Sequence, residues 1–232
     1  MQHELALVPG LNNTAAVFQG VLAALPAKVH AHALDNPPLD TVEAIAQHWL
    51  ERLPERFWLA GFSFGGYVSL AMLAAAPERV RGIAMICTAP HADSQAAAQR
   101  RLAALDAVAQ GRYHEMVDAQ APNAFHPDSL ANTALMSARR DMARDYGPER
   151  YAAHVRATAA RPDRSALLDG RIPTLVVTAC GDKVIPPETV QAYARNIPGA
   201  RVELVQGAGH LLPMEQPAEL ARLLAQWMDG SA

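Results

Sequence analysis

The chain has 232 residues, of which 50% are hydrophobic and 19% are charged, a composition ordinary for one globular domain with a small insertion. The formal net charge of −3 gives no reason to expect nucleic acid or an anionic membrane as a partner. Two cysteines, Cys87 and Cys180, are too few for a disulfide framework or a zinc site. We find no secretory signal and no stretch with the ~20 apolar residues of a membrane span, so a cytoplasmic location is expected.

Short apolar runs alternate with segments of helical spacing over residues 1–91, which we interpret as the first part of the core. The strand candidates are 4–8, 28–33, 57–60 and 82–87, and the helix candidates are 14–25, 41–53 and 67–76. Asp40 is the expected cap of the second helix, because Glu43 three residues later completes a capping-box pattern. Strands alternating with helices of this length predict a parallel sheet covered by helices on both faces.

Strand candidates are absent from residues 92–165, where four segments have helical spacing: 95–110, 113–119, 129–146 and 148–160. The alternating pattern resumes in 166–232, the second part of the core, with strands 174–179 and 202–205 and helices 188–196 and 218–228. A helical block inserted between two neighbouring strands predicts a lid over the sheet edge. We expect apolar pocket walls beneath it. Within the block, Arg139, Arg140 and Arg144 alternate with aspartates and fit a solvated helix face.

The segment 57–66 reads FWLAGFSFGG, an apolar strand that runs into Gly61-Phe62-Ser63-Phe64-Gly65 and then into a helix. A serine that projects above a sheet needs a tight, strained turn, and the two glycines remove side chains that would collide across it. The pattern G-x-S-x-G alone arises by chance in roughly one chain in ten of this length. Its strand–turn–helix setting favours Ser63 as a nucleophile over a structural serine.

A serine hydroxyl needs a base to remove its proton, and histidine is the usual one near neutral pH. His210 follows the last strand candidate, in Gly207-Ala208-Gly209-His210, and so belongs to the same sheet edge as Ser63. Solvated surface positions fit five other histidines: His3, His30, His48, His114 and His154.

The imidazole in turn needs a carboxylate that fixes its tautomer and stabilises its charged form. Asp182 lies directly after the strand candidate 174–179 and is the expected acid. Asp93, which follows the strand candidate 82–87, is the alternative.

The order Ser63, Asp182, His210, each after a strand, resembles the α/β-hydrolase superfamily. The similarity covers nearly the whole chain, through LALVPGLNNTAAVF, LAGFSFGGYVSLAMLAAAPERV, PTLVVTACGDKVIPPE and VELVQGAGHLLPMEQPAEL. It is closest to lidded bacterial hydrolases such as pimeloyl-carrier-protein methyl ester esterases, 3-oxoadipate enol-lactonases and carbon–carbon bond hydrolases. The resemblance implies an oxyanion hole made by the backbone N–H groups of Leu11 and Phe64. It also implies substrate contacts at Leu11, Phe64 and Leu211, with no metal and no cofactor.

Two departures from this family are visible. Pro9-Gly10 stands where relatives usually carry His-Gly, and the chain begins at what would be their third strand, so an α/β-hydrolase fold with about six mostly parallel strands is expected. The leading expectation is a serine hydrolase, a carboxylesterase, that cleaves small or medium esters through an acyl-enzyme. The same residues would serve a thioesterase, a lactonase or a carbon–carbon bond hydrolase. Two alternatives come from other classes. One is a non-catalytic ligand receptor on this fold, and the other is a module that binds an acidic carrier protein through Arg139, Arg140 and Arg144.

Overall fold

The computed structural model describes residues 2–231, which form a six-stranded parallel sheet with surrounding helices. The strand order is β2-β1-β3-β4-β5-β6, and every neighbouring pair is parallel. The strands are β1 (His3–Val8), β2 (Val29–Ala33), β3 (Phe57–Phe62), β4 (Val80–Ile86), β5 (Thr174–Ala179) and β6 (Arg201–Val205). The predicted fold class, a mostly parallel sheet of about six strands with helices on both faces, is confirmed.

Ten α-helices surround or follow the sheet within the described residues. They are α1 (Gln19–Ala24), α2 (Val42–Leu50), α3 (Phe64–Ala75), α4 (Gln95–Ala109), α5 (Tyr113–Ala119), α6 (Ala121–Ala124), α7 (Thr133–Ala160), α8 (Pro187–Ala194), α9 (Leu212–Glu215) and α10 (Pro217–Gly230). In the part of the chain that the structure describes, none of these helices combines the length and the apolar character of a membrane span.

Alternation along β1 divides the core between the two faces of the sheet. Leu5 and Leu7 face a cluster that includes α1 and α10, whereas Ala6 and Val8 face a cluster that includes α2, α3 and α8. Side chains of successive strand residues point to opposite faces, so a strand buried on both sides is apolar throughout rather than alternating.

The start of α2 differs from the sequence prediction. Thr41, not Asp40, is the cap: its backbone is extended and its Oγ1 accepts a hydrogen bond from the Ala44 N–H at 3.1 Å. Glu43 is drawn instead into an ion pair with Arg164, at 2.5 Å. Both Asp and Thr suit an N-cap, and the local pattern does not distinguish between two adjacent candidates.

The helices α4 to α7 lie in sequence between β4 and β5, which are adjacent in the sheet. Within α7 the backbone leaves helical geometry at Gly147, with φ 77° and ψ 160°, and Pro148 opens the second half. This break agrees with the predicted boundary between two helical segments. Proline suits the first turn of a helix because its missing N–H would have no intrahelical partner there.

Two histidines that the sequence assigns to the solvated surface, His3 and His154, are buried. His154 on α7 donates from Nε2 to the Pro37 carbonyl oxygen at 2.7 Å, and its Nδ1 accepts from the Tyr146 hydroxyl. Its ring stacks on Phe64, with centroids 4.8 Å apart. Burial lowers the pKa of His154 from 6.5 to about 4, because the charged imidazolium would lose its hydration.

Because His154 is neutral in the folded protein, we expect it to make the free energy of unfolding depend on pH. In the unfolded chain this histidine takes up a proton near pH 6.5, whereas in the folded protein it does so only near pH 4. The unfolded state therefore binds more protons between these values, and the free energy of unfolding decreases as the pH falls through this window. The decrease from this group is on the order of 3 kcal/mol.

Urea unfolding between pH 4 and 7 measures this effect. We expect His154→Gln to flatten the pH dependence across the window, and His114→Gln, at an exposed position, to leave it unchanged. The same slope in the wild type and in His154→Gln would contradict the assignment.

Candidate active site

Ser63 occupies a strained turn between β3 and α3. Its φ of 50° and ψ of −117° are rare for a residue with a side chain, so the surroundings must hold it there. A Cβ on Gly65 would lie 2.0 Å from the Val8 carbonyl oxygen, and one on Gly61 would lie 2.6 Å from the Gly65 oxygen. The Ser63 N–H donates to the Ile86 oxygen at 2.9 Å, which secures the turn to β4.

The three residues predicted to act together form one chain of hydrogen bonds. Ser63 Oγ lies 2.9 Å from His210 Nε2, and His210 Nδ1 lies 2.8 Å from Asp182 Oδ2. The other carboxylate oxygen, Oδ1, accepts from the Val184 and Ile185 N–H groups at 2.8 and 2.9 Å. A carboxylate held in this way keeps the proton of the imidazole on Nδ1 and leaves Nε2 free to accept from the serine.

The fold brings these residues together because each follows a parallel strand. Ser63 follows β3, Asp182 lies just beyond β5 and His210 lies beyond β6. In a parallel sheet the C-terminal ends of all strands share one edge, so the separation along the chain does not matter.

Glu215, which the sequence analysis did not single out, connects the His210 loop to the inserted segment. Its Oε2 accepts from the Gly209 N–H at 2.7 Å and its Oε1 accepts from the His126 N–H at 2.8 Å. The Leu211 N–H also donates to the Ala124 oxygen at 3.0 Å. No local pattern in the sequence indicates this role, because both hydrogen-bond partners of Glu215 are backbone N–H groups.

Asp93, the alternative acid, lies in a separate ion cluster. Its carboxylate accepts from Arg101 Nε at 2.5 Å and from Arg161 Nη2 at 2.8 Å. Burial alone would raise the pKa of Asp93, but the hydrogen bonds from Arg161 and Arg101 outweigh it and the pKa is lowered. Asp182, and not Asp93, therefore contacts His210.

Cys87 directly follows β4, and its thiol lies close enough to the Asp182 and His210 side chains for the three to share a metal ion. The thiol is buried, and both this burial and the nearby Asp182 carboxylate raise its pKa well above the usual range. Metals bind the thiolate, so a thiol kept protonated is a poor ligand, and the other two side chains already pair with each other. We assign Cys87 to the core.

The two backbone donors predicted for an oxyanion hole come from two different turns of the chain. The Phe64 N–H opens α3, and the Leu11 N–H belongs to the turn after β1. Within residues 2–231 neither N–H has a hydrogen-bond acceptor, and both residues line the pocket above Ser63. The turn is fixed by Asn13, whose Nδ2 donates to the Leu11 oxygen at 2.7 Å.

A cavity of about 590 Å³ opens over Ser63 and His210. The predicted substrate contacts Leu11, Phe64 and Leu211 lie on its wall. About half of its lining residues come from α4, the α5–α6 junction, α6 and α7. The inserted helices therefore lie around Ser63, as a lid requires. The boundaries 92–165 for a separate lid remain a prediction.

The prediction of largely apolar pocket walls with few hydrogen-bonding groups is wrong. Four cationic side chains line the cavity: Arg100, Arg101, Arg139 and Lys183. No acidic side chain lines it among the described residues, and four amide side chains, Asn12, Asn13, Gln120 and Asn123, add further polar groups. Most large apolar side chains of the inserted helices pack against one another and against the core, although Ala97, Ala104, Ala124 and Tyr151 also line the cavity.

Arg139 also departs from its prediction, since its side chain is buried while those of Arg140 and Arg144 are exposed. The helical spacing of the sequence indicates this burial. Arg139 precedes the buried residues Met142, Ala143 and Tyr146 by three, four and seven positions, so all four lie on one face of α7.

The fold and this hydrogen-bonded chain define a parallel α/β protein with a serine, a histidine and an aspartate at the C-terminal edge of its sheet. The sequence profile described as "Alpha/beta hydrolase family" matches residues 5–223. The chain belongs to the alpha/beta hydrolase family.

Two curated relatives are pimeloyl-[acyl-carrier protein] methyl ester esterases. That of Aeromonas hydrophila is 22% identical over 97% of this chain and 95% of the relative. That of Aromatoleum aromaticum is 25% identical over 82% of this chain and 81% of the relative.

Among solved structures, a thermophilic esterase from Thermogutta terrifontis with malate bound has a TM-score of 0.88 at 25% identity, covering 100% of this chain and 91% of that one. The enol-lactonase from Burkholderia xenovorans has a TM-score of 0.85 at 21% identity, covering 99% of this chain and 92% of that one. The second likeness shows the shared fold.

The close approach at Gly65 predicts a large effect for one added methyl group. In Gly65→Ala the Cβ would overlap the Val8 and Pro9 carbonyl oxygens, which are backbone atoms with little freedom to move. We expect the free energy of unfolding to fall by about 2 kcal/mol or more, or the chain not to fold. Gly230→Ala is the control, because its Cβ would meet nothing within 4 Å. Equal urea stabilities of the two variants would contradict this interpretation of the turn.

Proposed function

We propose that this protein is a serine hydrolase that cleaves small or medium carboxylic esters through an acyl-enzyme, and that α4 to α7 act as its lid. The observation that carries the proposal is the continuous chain from Ser63 Oγ through His210 to Asp182, with distances of 2.9 and 2.8 Å, beneath a cavity large enough for a substrate. Membership of a hydrolase family supports an enzyme, and the names of the two curated relatives favour an ester ahead of a thioester, a lactone or a carbon–carbon bond.

In the proposed reaction Ser63 Oγ attacks the ester carbonyl carbon as its proton passes to His210 Nε2. The carbonyl oxygen becomes an oxyanion, which takes hydrogen bonds from the Phe64 and Leu11 N–H groups. The N-terminus of the 12-residue helix α3 adds partial positive charge at the same place. His210 then gives its proton to the departing alkoxide, the alcohol leaves and the acyl group stays on Ser63.

Deacylation reverses these roles with water as the nucleophile. His210 Nε2 takes a proton from the water as its oxygen attacks the acyl carbon, and then returns the proton to Ser63 Oγ as the acid leaves. Throughout, the Asp182 carboxylate holds the ring and stabilises its positive charge. These steps call on no metal and no organic cofactor.

Removal of the proposed nucleophile gives the first test. We expect a fluorophosphonate probe to label Ser63, and Ser63→Ala to lose on the order of a millionfold in kcat on p-nitrophenyl esters, as other serine hydrolases do. Mass spectrometry of the labelled peptide identifies the modified side chain. A non-catalytic receptor would show neither labelling nor turnover in the wild type.

The role of the acid is tested by comparing two aspartates. Asp182→Asn leaves the shape intact but lets the histidine adopt the wrong tautomer, so kcat should fall on the order of 10⁴-fold. Asp93→Asn removes the partner of two arginines and should chiefly lower the free energy of unfolding, by about 3 kcal/mol. Steady-state kinetics and urea unfolding of both variants separate these effects. The opposite ranking in kcat would assign the acid role to Asp93.

A further inference from the structure

The cations of the pocket wall are only partly neutralised. Arg101 is paired with Asp93, at 2.5 Å. Arg100, Arg139 and Lys183 have no carboxylate oxygen within hydrogen-bond reach among the described residues. The cavity over Ser63 therefore carries an excess of positive charge with no protein anion on its wall.

Arg139 is the most unusual of the three. Its side chain is only 9% exposed, and its single hydrogen bond runs from Nη2 to the Val117 carbonyl oxygen at 2.6 Å. The nearest carboxylate oxygen, on Asp118, lies 3.9 Å from Nη1, and that side chain is 55% exposed. The Nε and Nη1 N–H groups have no acceptor within residues 2–231, although the residue lines the cavity.

A guanidinium that is mostly buried and lies no closer than 3.9 Å to a carboxylate oxygen is poorly stabilised, because it has lost much of its hydration for a weak ion pair. Burial accordingly lowers the pKa of Arg139. An anionic group in the cavity would supply the missing acceptors, and a guanidinium offers two parallel N–H groups that match a carboxylate or a phosphate.

Arg100 and Lys183 lie at more exposed positions of the same wall. Arg100 comes from α4, and Lys183 directly follows Asp182, with its Nζ donating to the Pro122 oxygen at 3.3 Å. Exposed like charges at the mouth of a cleft raise the local concentration of an oppositely charged ligand.

We propose that the ester substrate carries a second, anionic group, a carboxylate or a phosphate, which Arg139 binds while Ser63 attacks the ester carbonyl. The inference rests on the proposed esterase function and specifies its substrate class. Water is the only co-reactant, and the Ser63–acyl bond forms and breaks as described. In the net reaction the alcohol gains one proton of the water, and the remaining OH of the water becomes part of the acid. The anionic group stays unchanged and serves to position the substrate.

Half-esters test this directly. We would compare kcat/KM for monomethyl esters of linear dicarboxylic acids of four to eight carbons with that for the matching dimethyl esters, and include methyl esters bearing a phosphate monoester. In the wild type at least one anionic series should exceed its neutral counterpart by roughly tenfold to hundredfold, the range for one charge-assisted contact. The series with the larger advantage identifies the anion as carboxylate or phosphate.

Two variants attribute the preference to one side chain. In Arg139→Gln the ratio of anionic to neutral kcat/KM should fall by about tenfold or more, and Arg139→Lys should retain part of it. Arg140→Gln is the matched control, since Arg140 is the next residue of α7, is exposed and lies outside the cavity wall. Because both esters are measured on the same variant, the ratio of their kcat/KM values does not change if part of the protein is unfolded. The ratio for the wild type tests the anion preference without any substitution.

Binding without turnover separates this inference from the proposed function. Calorimetric titration with the dicarboxylates and with alkyl phosphates should show binding to the wild type that Arg139→Gln weakens. Labelling of Ser63 and turnover of dimethyl esters, with no advantage for any anionic ester and no Arg139-dependent binding, would overturn the inference and leave the esterase intact. Anion binding that depends on Arg139, with no labelling and no turnover, would uphold the anion site and overturn the esterase.

Discussion

The contact between the end of β1 and the first turn of α3 is the constraint on which the active site depends. With no side chain at Gly65, the Val8 and Pro9 carbonyls approach the helix closely enough that even one methyl group would overlap them. Ser63, which directly precedes α3, has a φ of 50°, and the Leu11 turn that follows β1 lines the same cavity as Phe64. The strained serine and the Leu11 turn therefore lie at the two ends of one close packing of backbone on backbone.

Contacts between the inserted segment and the core give the site further support. His154 stacks on Phe64 and is anchored to Pro37, so a buried neutral imidazole backs the residue that follows Ser63. Glu215 ties the His210 loop to the backbone at His126. The inserted segment thus contributes to the position of the reacting groups as well as to the walls above them.

The polarity of the cavity follows from how the inserted helices bury their apolar residues. Tyr113 and Val117 of α5 pack with Tyr146 and Val155 of α7, so these helices form a small core of their own. Cationic side chains of α4 and α7 line the cavity over Ser63, beside Ala97, Ala104 and Tyr151. A charge held partly away from bulk water, as on Arg139 with its side chain 9% exposed, is screened less than a charge on the open surface.

Local sequence patterns were enough to predict the six strands, their parallel arrangement and the three residues that hydrogen-bond at one sheet edge, Ser63, Asp182 and His210. These depend on local signals, an apolar run followed by a turn at one sheet edge, and parallel pairing then assembles them wherever they lie along the chain. The cap of α2, the burial of His154, the brace by Glu215 and the cationic cavity with Arg139 were decided by the tertiary structure. Each depends on a partner distant in sequence or on a choice between equivalent neighbours, and only packing specifies which side chains lose water and which groups they meet.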